Sequence, residues 1–268
     1  MESVKKEISL VEAKSILLQM MCHIDAFCRN NGINYSLGFG TLIGAVRHQG
    51  YIPWDDDIDL FMTRDNYEKF QSLYSHDRYR MIYNSKNSKW GWQYIRIHDS
   101  KTIVEFQNPY SENLIHGLWI AIIPLDGIPD NKTSWFFKTK AIGICDTLCR
   151  LRHAIWNPQV ALWKNVVKTI FKPLVSIRSY YYWGNLYTKA LRLYESKQAS
   201  NLFQFELIYY VFPIRIFEKY IDLPFEGHLF MAVAGYDEFL KIYYGDYMQL
   251  PPENERIAKH DYKAYYLE

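Results

Sequence analysis

The chain has 268 residues, a formal net charge of +2 and 22% charged residues. That length can bury a real core in one large domain, or in one domain with an appendage, and the near-neutral balance argues against a histone-like or polyanion-coating role. Aromatic residues are the outlier. With 23 Tyr, 15 Phe and 8 Trp they make up 17% of the chain, which points to stacking surfaces or membrane contact. Cys22, Cys28, Cys145 and Cys149 form no C-x-x-C pair and have no histidines at zinc spacing, so they read as buried free thiols. The opening MESVKKEISLVEAK lacks the apolar segment of a signal peptide, and no apolar run approaches the ~20 residues of a membrane span. The expectation is a cytoplasmic protein.

In chain order, Ser9 and Glu12 have capping-box spacing, and Val11, Ile16, Leu17, Met20, Ile24 and Phe27 recur at a helical period. Asn30-Asn31-Gly32 stops that helix. A short strand is expected over 34–37, then a glycine turn at Gly38-Phe39-Gly40 and a short helix from Thr41 to His48. After Gly50 and Pro53, the alternation in DIDLFM predicts a strand with one polar and one apolar face. A further helix should begin near Asp65, where Asp65 and Glu68 repeat the capping-box spacing. WQYIRI, TIVEF and LWIAII read as strands of a mixed sheet, and the pattern turns helical from about residue 131. No internal repeat is visible.

Asp55, Asp56, Asp57 and Asp59 crowd the run before that strand. Strand residues two apart face the same way, so Asp57 and Asp59 project together while Ile58 and Leu60 enter the core. Carboxylates this close repel unless a cation lies between them, and hard divalent ions supply that cation through oxygen ligands. Asp55 has the same parity, but the Pro53-Trp54 turn leaves its direction open. A solvated acidic turn is the bland alternative. An EF-hand loop fits poorly, because its glycine and terminal glutamate are missing at the required places. Gly38 and Gly40 let backbone approach a ligand, and free N–H groups at the start of the Thr41 helix suit an anion. A glycine turn followed by a D-x-D strand resembles the nucleotidyltransferase fold, where a third carboxylate comes from a later strand. The fold class expected is therefore α+β: a nucleotidyltransferase-like mixed sheet flanked by helices, with a mainly helical central and C-terminal portion.

The stretches GTLIGAVRHQGYIPWDDDIDLFMTRDNYEKF, IIPLDGIP and LPFEG…GYDEFLKIYYGDYMQLPPENERIAKH closely resemble the LicD family of phosphocholine transferases, relatives of the fukutin group. The likeness covers about residues 25–130 and 220–260. It implies transfer of phosphocholine from CDP-choline, or of a related group from CDP-ribitol or CDP-glycerol, to a hydroxyl of a teichoic acid or lipopolysaccharide glycan. Nucleic acid is not expected as a partner, because the rest of the chain is not basic and no reading motif appears. One position departs from the family pattern: Ala121 stands where an aspartate, the third carboxylate, is usual. A silenced enzyme, a pseudoenzyme, or recruitment of Asp55 or Glu105 are the competing explanations.

On this reading Asp57 and Asp59, with Asp55, hold Mg²⁺, as two ions that Mn²⁺ can replace, against the donor pyrophosphate. Gly38, Gly40 and Thr41 would contact phosphate, and Arg47 would reach it or satisfy its helix end. Arg96 and His98 lie on a strand bordering the site, and His260 is a comparable candidate. A quaternary ammonium calls for an aromatic cage; Trp54, Trp90, Trp92 and Tyr94 are the candidates, with core packing as the alternative for each. Transfer of an NMP from an NTP, and a non-catalytic membrane-associated binding subunit, are the competing functions.

Three regions are expected: a catalytic core over 1–130, a basic and aromatic helical insertion over 131–215, and a C-terminal segment over 216–268 that packs back on the core. From Thr147 to Tyr194 there are eight Lys or Arg residues and no Asp or Glu. Lys164, Lys168 and Lys172 are spaced to share a helical face, beside the apolar residues Leu162, Val166, Val167, Ile170, Phe171 and Leu174. That combination suits peripheral contact with the inner face of an anionic cytoplasmic membrane, where a lipid-linked acceptor is met, or else a core helix with a solvated basic face.

Overall fold

A computed structural model describes residues 6–107, 117–194, 199–205, 210–257 and 262–267. It is a mixed α+β architecture. The first helix, α1 (Leu10–Asn30), opens with the expected capping box: the Ser9 hydroxyl accepts from the Glu12 N–H, and the Glu12 carboxylate accepts from the Ser9 N–H. Its buried stripe of Ile16, Leu17, Met20, Met21 and Ile24 lies on the core. Each such side chain contributes roughly 1.5–3 kcal/mol by leaving water. Just before it, β1 (Glu7–Ile8) joins a small separate sheet.

The main sheet has seven strands. β2 (Ser36–Leu37) is antiparallel to β3 (Asp59–Thr63), and β3 is parallel to β7 (Trp119–Ile128). On its other edge β7 pairs first with β5 (Ile95–Asp99), which carries β4 (Tyr79–Ile82), and further along with β8 (Asn201–Gln204), which carries β9 (Phe212–Pro213). All ten residues of β7 are buried. Covered on both faces, this strand reads as an unbroken apolar run instead of an alternation. The one charge inside it, Asp126, is met by Arg64 in a bidentate pair at 2.8 and 2.6 Å.

TIVEF becomes β6 (Thr102–Phe106), but outside the main sheet. It pairs with β12 (Tyr262–Tyr266), which also holds β1. Glu105 thereby sits exposed opposite Lys263. After β3, α3 (Arg64–Leu73) begins where expected, but Asp65 and Glu68 form no box: the cap position is Thr63, and its hydroxyl accepts from the Asn66 side chain.

α4 (Lys132–His153), capped by the Asn131 side chain, leads to α5 (Leu162–Ser176) and α6 (Tyr180–Leu191). β8 and β9 then return the chain to the main sheet. On α5 Lys164 is exposed, whereas Lys172 turns toward the protein, where its Nζ donates to the Ala154 carbonyl at 2.5 Å. The hairpin of β10 (Tyr220–Phe225) and β11 (His228–Val233) and the helix α7 (Tyr236–Tyr244) follow, ahead of β12. All four cysteines are free thiols, three buried and Cys22 partly so.

Candidate functional site

The acidic run lies between two anchored segments. The short helix α2 (Phe39–Ile43) opens two residues earlier than the sequence suggests, with Gly38 at its cap position, and passes into a single π-helical turn over Gly44–His48. Gln49 at φ 55° then reverses the chain. The Glu226 carboxylate, at the tip of the β10–β11 hairpin, accepts from the Tyr51 N–H at 3.0 Å, pinning the loop from outside. Gly50 permits this, because a Cβ there would lie 2.3 Å from Glu226 Oε1. The turn from Ile52 to Asp55, closed by a 2.9 Å backbone bond, then starts the aspartates.

Burial alternates from Asp55 onward: Asp55, Asp57 and Asp59 are half-buried, whereas Asp56 and Ile58 are buried. The strand proper begins only at Asp59, so Asp57 precedes the regular ladder instead of belonging to it. Carboxylate oxygens of Asp55, Asp56 and Asp57 lie within 4.8 Å of one another. Asp59 faces the same cleft outside that trio. A Cβ on Gly40 would fall 2.4 Å from Asp55 Oδ2, so the carboxylate occupies the space a side chain would take. Lys14 stands behind the cluster, its Nζ donating to the Pro53 carbonyl at 3.1 Å. Burial draws its pKa down, against the pull of Asp55, Glu226 and Asp56.

Asp55, Asp57 and Asp59 line a cleft of about 750 Å³ with Gly40, Arg47 and Trp54 on one side. The facing wall comes from the end of α7 and the loop after it: Tyr243, Tyr244, Asp246, Tyr247 and the Pro251-Pro252 turn. Arg47 fastens that wall, its Nη1 donating to the Tyr247 carbonyl at 2.7 Å and to the Gln249 carbonyl at 3.3 Å. Tyr244 keeps 37% of its surface open while its phenol is enclosed. Desolvation first, then Tyr243 and the three cleft aspartates, push its pKa up. Tyr51 and Tyr262 behind the cluster are likewise raised, first by burial and then by nearby carboxylates. Both observations describe one negatively charged region.

The other sequence candidates take different places. Thr41 is buried, and its hydroxyl accepts from the Asp59 N–H at 3.0 Å, so it orients Asp59 from behind the cleft wall. Gly38 donates to the Asp59 carbonyl at 2.8 Å and packs against the Phe61 ring. Ala121, Asp59 and Arg96 are register partners across β3, β7 and β5, so their side chains share one face of the sheet. The Arg96 guanidinium is stacked 4.3 Å from the Trp119 ring centre and 4.9 Å from that of Trp90. His98 accepts from the Gly117 N–H at 3.4 Å, and burial lowers its pKa.

Trp90, Trp92 and Tyr94 do not reach the acidic cleft. Trp90 is buried with its indole N–H donating to the Tyr94 carbonyl, and Trp92 stacks on His153 beside a separate cleft. His260 lies outside the described residues. The cleft's own aromatics, Tyr243, Tyr244 and Tyr247, are not among the sequence candidates, because they lie about 200 residues from Arg47 in sequence. The signal was the doubled tyrosine at the end of an amphipathic helix, just before Gly245.

The donor set fits a hard divalent ion: several carboxylate oxygens converge, half-buried, with no nitrogen or sulfur ligand among the described neighbours. A parallel pair of strands within the mixed sheet carries these carboxylates at the start of β3, under an aromatic wall. Residues 32–141 match the family described as LicD/FKTN/FKRP, nucleotidyltransferase domain.

The chain thus carries a segment that matches this family, and its likeness to one relative runs over nearly its whole length. It is 29% identical to the lipopolysaccharide cholinephosphotransferase LicD of Haemophilus influenzae over 98% of this chain and 100% of that protein. It is also 39% identical to an uncharacterized protein of Rickettsia typhi, over 25% of this chain and 22% of that one. An uncharacterized protein of Rickettsia prowazekii is 42% identical over 27% of each.

Proposed function

We propose that this protein is a transferase that moves phosphocholine from CDP-choline to a hydroxyl of a lipopolysaccharide-type glycan, on a nucleotidyltransferase-like sheet. The observation that carries the reading is the meeting of acidic and aromatic walls in one cleft. Asp55, Asp57 and Asp59, with Trp54 beside them, line one cleft with Tyr243 and Tyr244. A zwitterionic group needs both. Its quaternary ammonium offers no hydrogen bond and is held by aromatic faces and negative charge, while its phosphate needs the carboxylates masked by a cation.

In this proposal Asp55 and Asp57 hold Mg²⁺, with Asp59 facing the same space. The bound ion supplies charge neutralisation at the pyrophosphate, for the transferred group and the leaving CMP alike. The residues of the chain supply position. Thr41 and Gly38 fix the Asp59 backbone from both sides, and Gly40 gives Asp55 room. Arg47 holds the aromatic wall against the carboxylates. Most of the acceleration in phosphoryl-type transfer comes from such preorganised charge.

Titration calorimetry with CDP-choline, CDP-ribitol and CDP-glycerol, with and without Mg²⁺, tests this reading. Metal-dependent preference for CDP-choline, and CMP release on adding acceptor glycan, is the expected result. Pyrophosphate release from an NTP would instead support NMP transfer, and equal weak binding of all three donors would overturn the choline assignment. Ala121 favours a second reading, a donor-binding protein that turns over slowly or not at all. In that case calorimetry still shows CDP-choline binding while CMP release stays at background.

A further inference from the structure

The helix α5 is inside out. At 100° per residue, Trp163, Val166, Val167, Ile170, Leu174 and Ile177 fall within one face of the helix and its C-cap. Every one of them is at least 42% exposed, and Ile177 reaches 77%. The opposite face meets the protein, and it is largely polar. Asn165 is 1% exposed, its side chain donating to the Asn157 carbonyl at 2.7 Å and accepting from the Asn157 N–H at 3.1 Å. Lys172 is turned in on the Ala154 carbonyl, and Val175 is the one hydrophobic residue buried on this side. A surface helix in water normally buries its apolar stripe and solvates its polar one. Here a contiguous apolar stripe points outward, which marks a surface meant to be covered.

Charge identifies the cover. Between Asp146 and Glu195 there are eight basic residues and no acidic one. Asp146 itself is paired with Arg150 at 2.7 Å. Lys164 and Arg178, both exposed, sit at the two ends of α5. Trp156 and Trp163, at 53% and 65% exposure, add side chains that favour the boundary between water and hydrocarbon. No described helix is long and apolar enough to cross a membrane. An outward apolar stripe flanked by cations on a helix too short to span is the pattern of an element lying in a bilayer interface.

We propose that α5 docks this protein on an anionic phospholipid bilayer, with Trp163, Ile170 and Leu174 inserted among the acyl chains and Lys164 and Arg178 at the headgroups. This is independent of the transferase reading and uses none of the cleft residues. The full chain should co-sediment with vesicles containing about 30% phosphatidylglycerol, and at least about tenfold more weakly with pure phosphatidylcholine or in high salt. Ile170→Glu with Leu174→Glu should lower binding to the anionic vesicles by at least about tenfold. Because both side chains already face outward, its thermal unfolding and its affinity for CDP-choline should match the unsubstituted chain.

Three outcomes would overturn the proposal. The first is failure of the chain to bind anionic vesicles, and the second is undiminished binding by the double variant. The third is a lipid-free dimer in sedimentation velocity that the same substitutions dissolve, without vesicle binding; a second copy is then what covers the stripe.

Discussion

Ala121→Asp tests the geometry of the site most directly. Ala121 is 7% exposed and in register with Asp59 on the adjacent parallel strand, with Arg96 in register on its other side. Neighbouring strands are ~4.8 Å apart, so a carboxylate introduced there stands about 5 Å from that of Asp59. At an effective dielectric of about 20 the repulsion is roughly 3 kcal/mol, and water around the half-buried Asp59 reduces it to about 2 kcal/mol. The Arg96 guanidinium, packed against Trp90 and Trp119, keeps its charge and attracts the new carboxylate, so the double-mutant cycle below is what isolates the repulsion by Asp59. Metal-free Ala121→Asp should therefore be less stable than the unsubstituted chain by up to about 2 kcal/mol in urea unfolding. Mg²⁺ at ~100 times its dissociation constant should return about 2.7 kcal/mol. CMP release from CDP-choline with acceptor should rise in parallel if the alanine limits turnover. The control is the double-mutant cycle with Asp59→Asn, which should abolish most of the metal-free penalty. A coupling below about 0.5 kcal/mol, with no added response to Mg²⁺, would refute the placement of residue 121 beside Asp59.

Three further outcomes are expected. Gly40→Ala forces the Asp55 carboxylate away, because the new Cβ would lie 2.4 Å from Oδ2; Mn²⁺ affinity followed by electron paramagnetic resonance should fall at least about tenfold, while the helical circular dichroism is retained. Arg47→Met removes both bonds to the 247–249 loop; limited proteolysis there should speed up, and CDP-choline binding should weaken by about 1–3 kcal/mol. Lys138 is buried with its Nζ on the Gly127 carbonyl, and burial brings its pKa down to about 8. Its folded-state pKa lies below the unfolded value, so the unfolded chain binds more protons above pH 8 and stability rises with pH. The gain should approach about 2 kcal/mol by pH 10. A Lys138→Met variant should lack that rise.

Local signals were legible where the chemistry is local. Ser9 and Glu12 gave the first helix its start, and LWIAII marked the first part of the central strand, which runs on to Ile128. The acidic run stood out because like charges so close together need a reason. What sequence spacing did not reveal was tertiary. TIVEF looks like any core strand, yet its partner is a segment near the C-terminus, and Asp57 has strand parity although the ladder starts two residues later. Thr41 reads as a phosphate ligand until its hydroxyl is seen to serve the Asp59 N–H. Of the four candidate aromatics Trp54 lines the acidic cleft, whereas Trp90, Trp92 and Tyr94 went to other surfaces, and the wall opposite was supplied from α7.

The clasp between Arg47 and the carbonyls of Tyr247 and Gln249 sets the smallest piece of this chain that can work. A fragment trimmed to residues 32–141 would keep every aspartate of the acidic run and all of β3 and β7, yet it would present them on an open shelf. The chain closes that shelf only when its first and last thirds are brought together, so boundaries chosen from sequence likeness alone would divide the cleft in half.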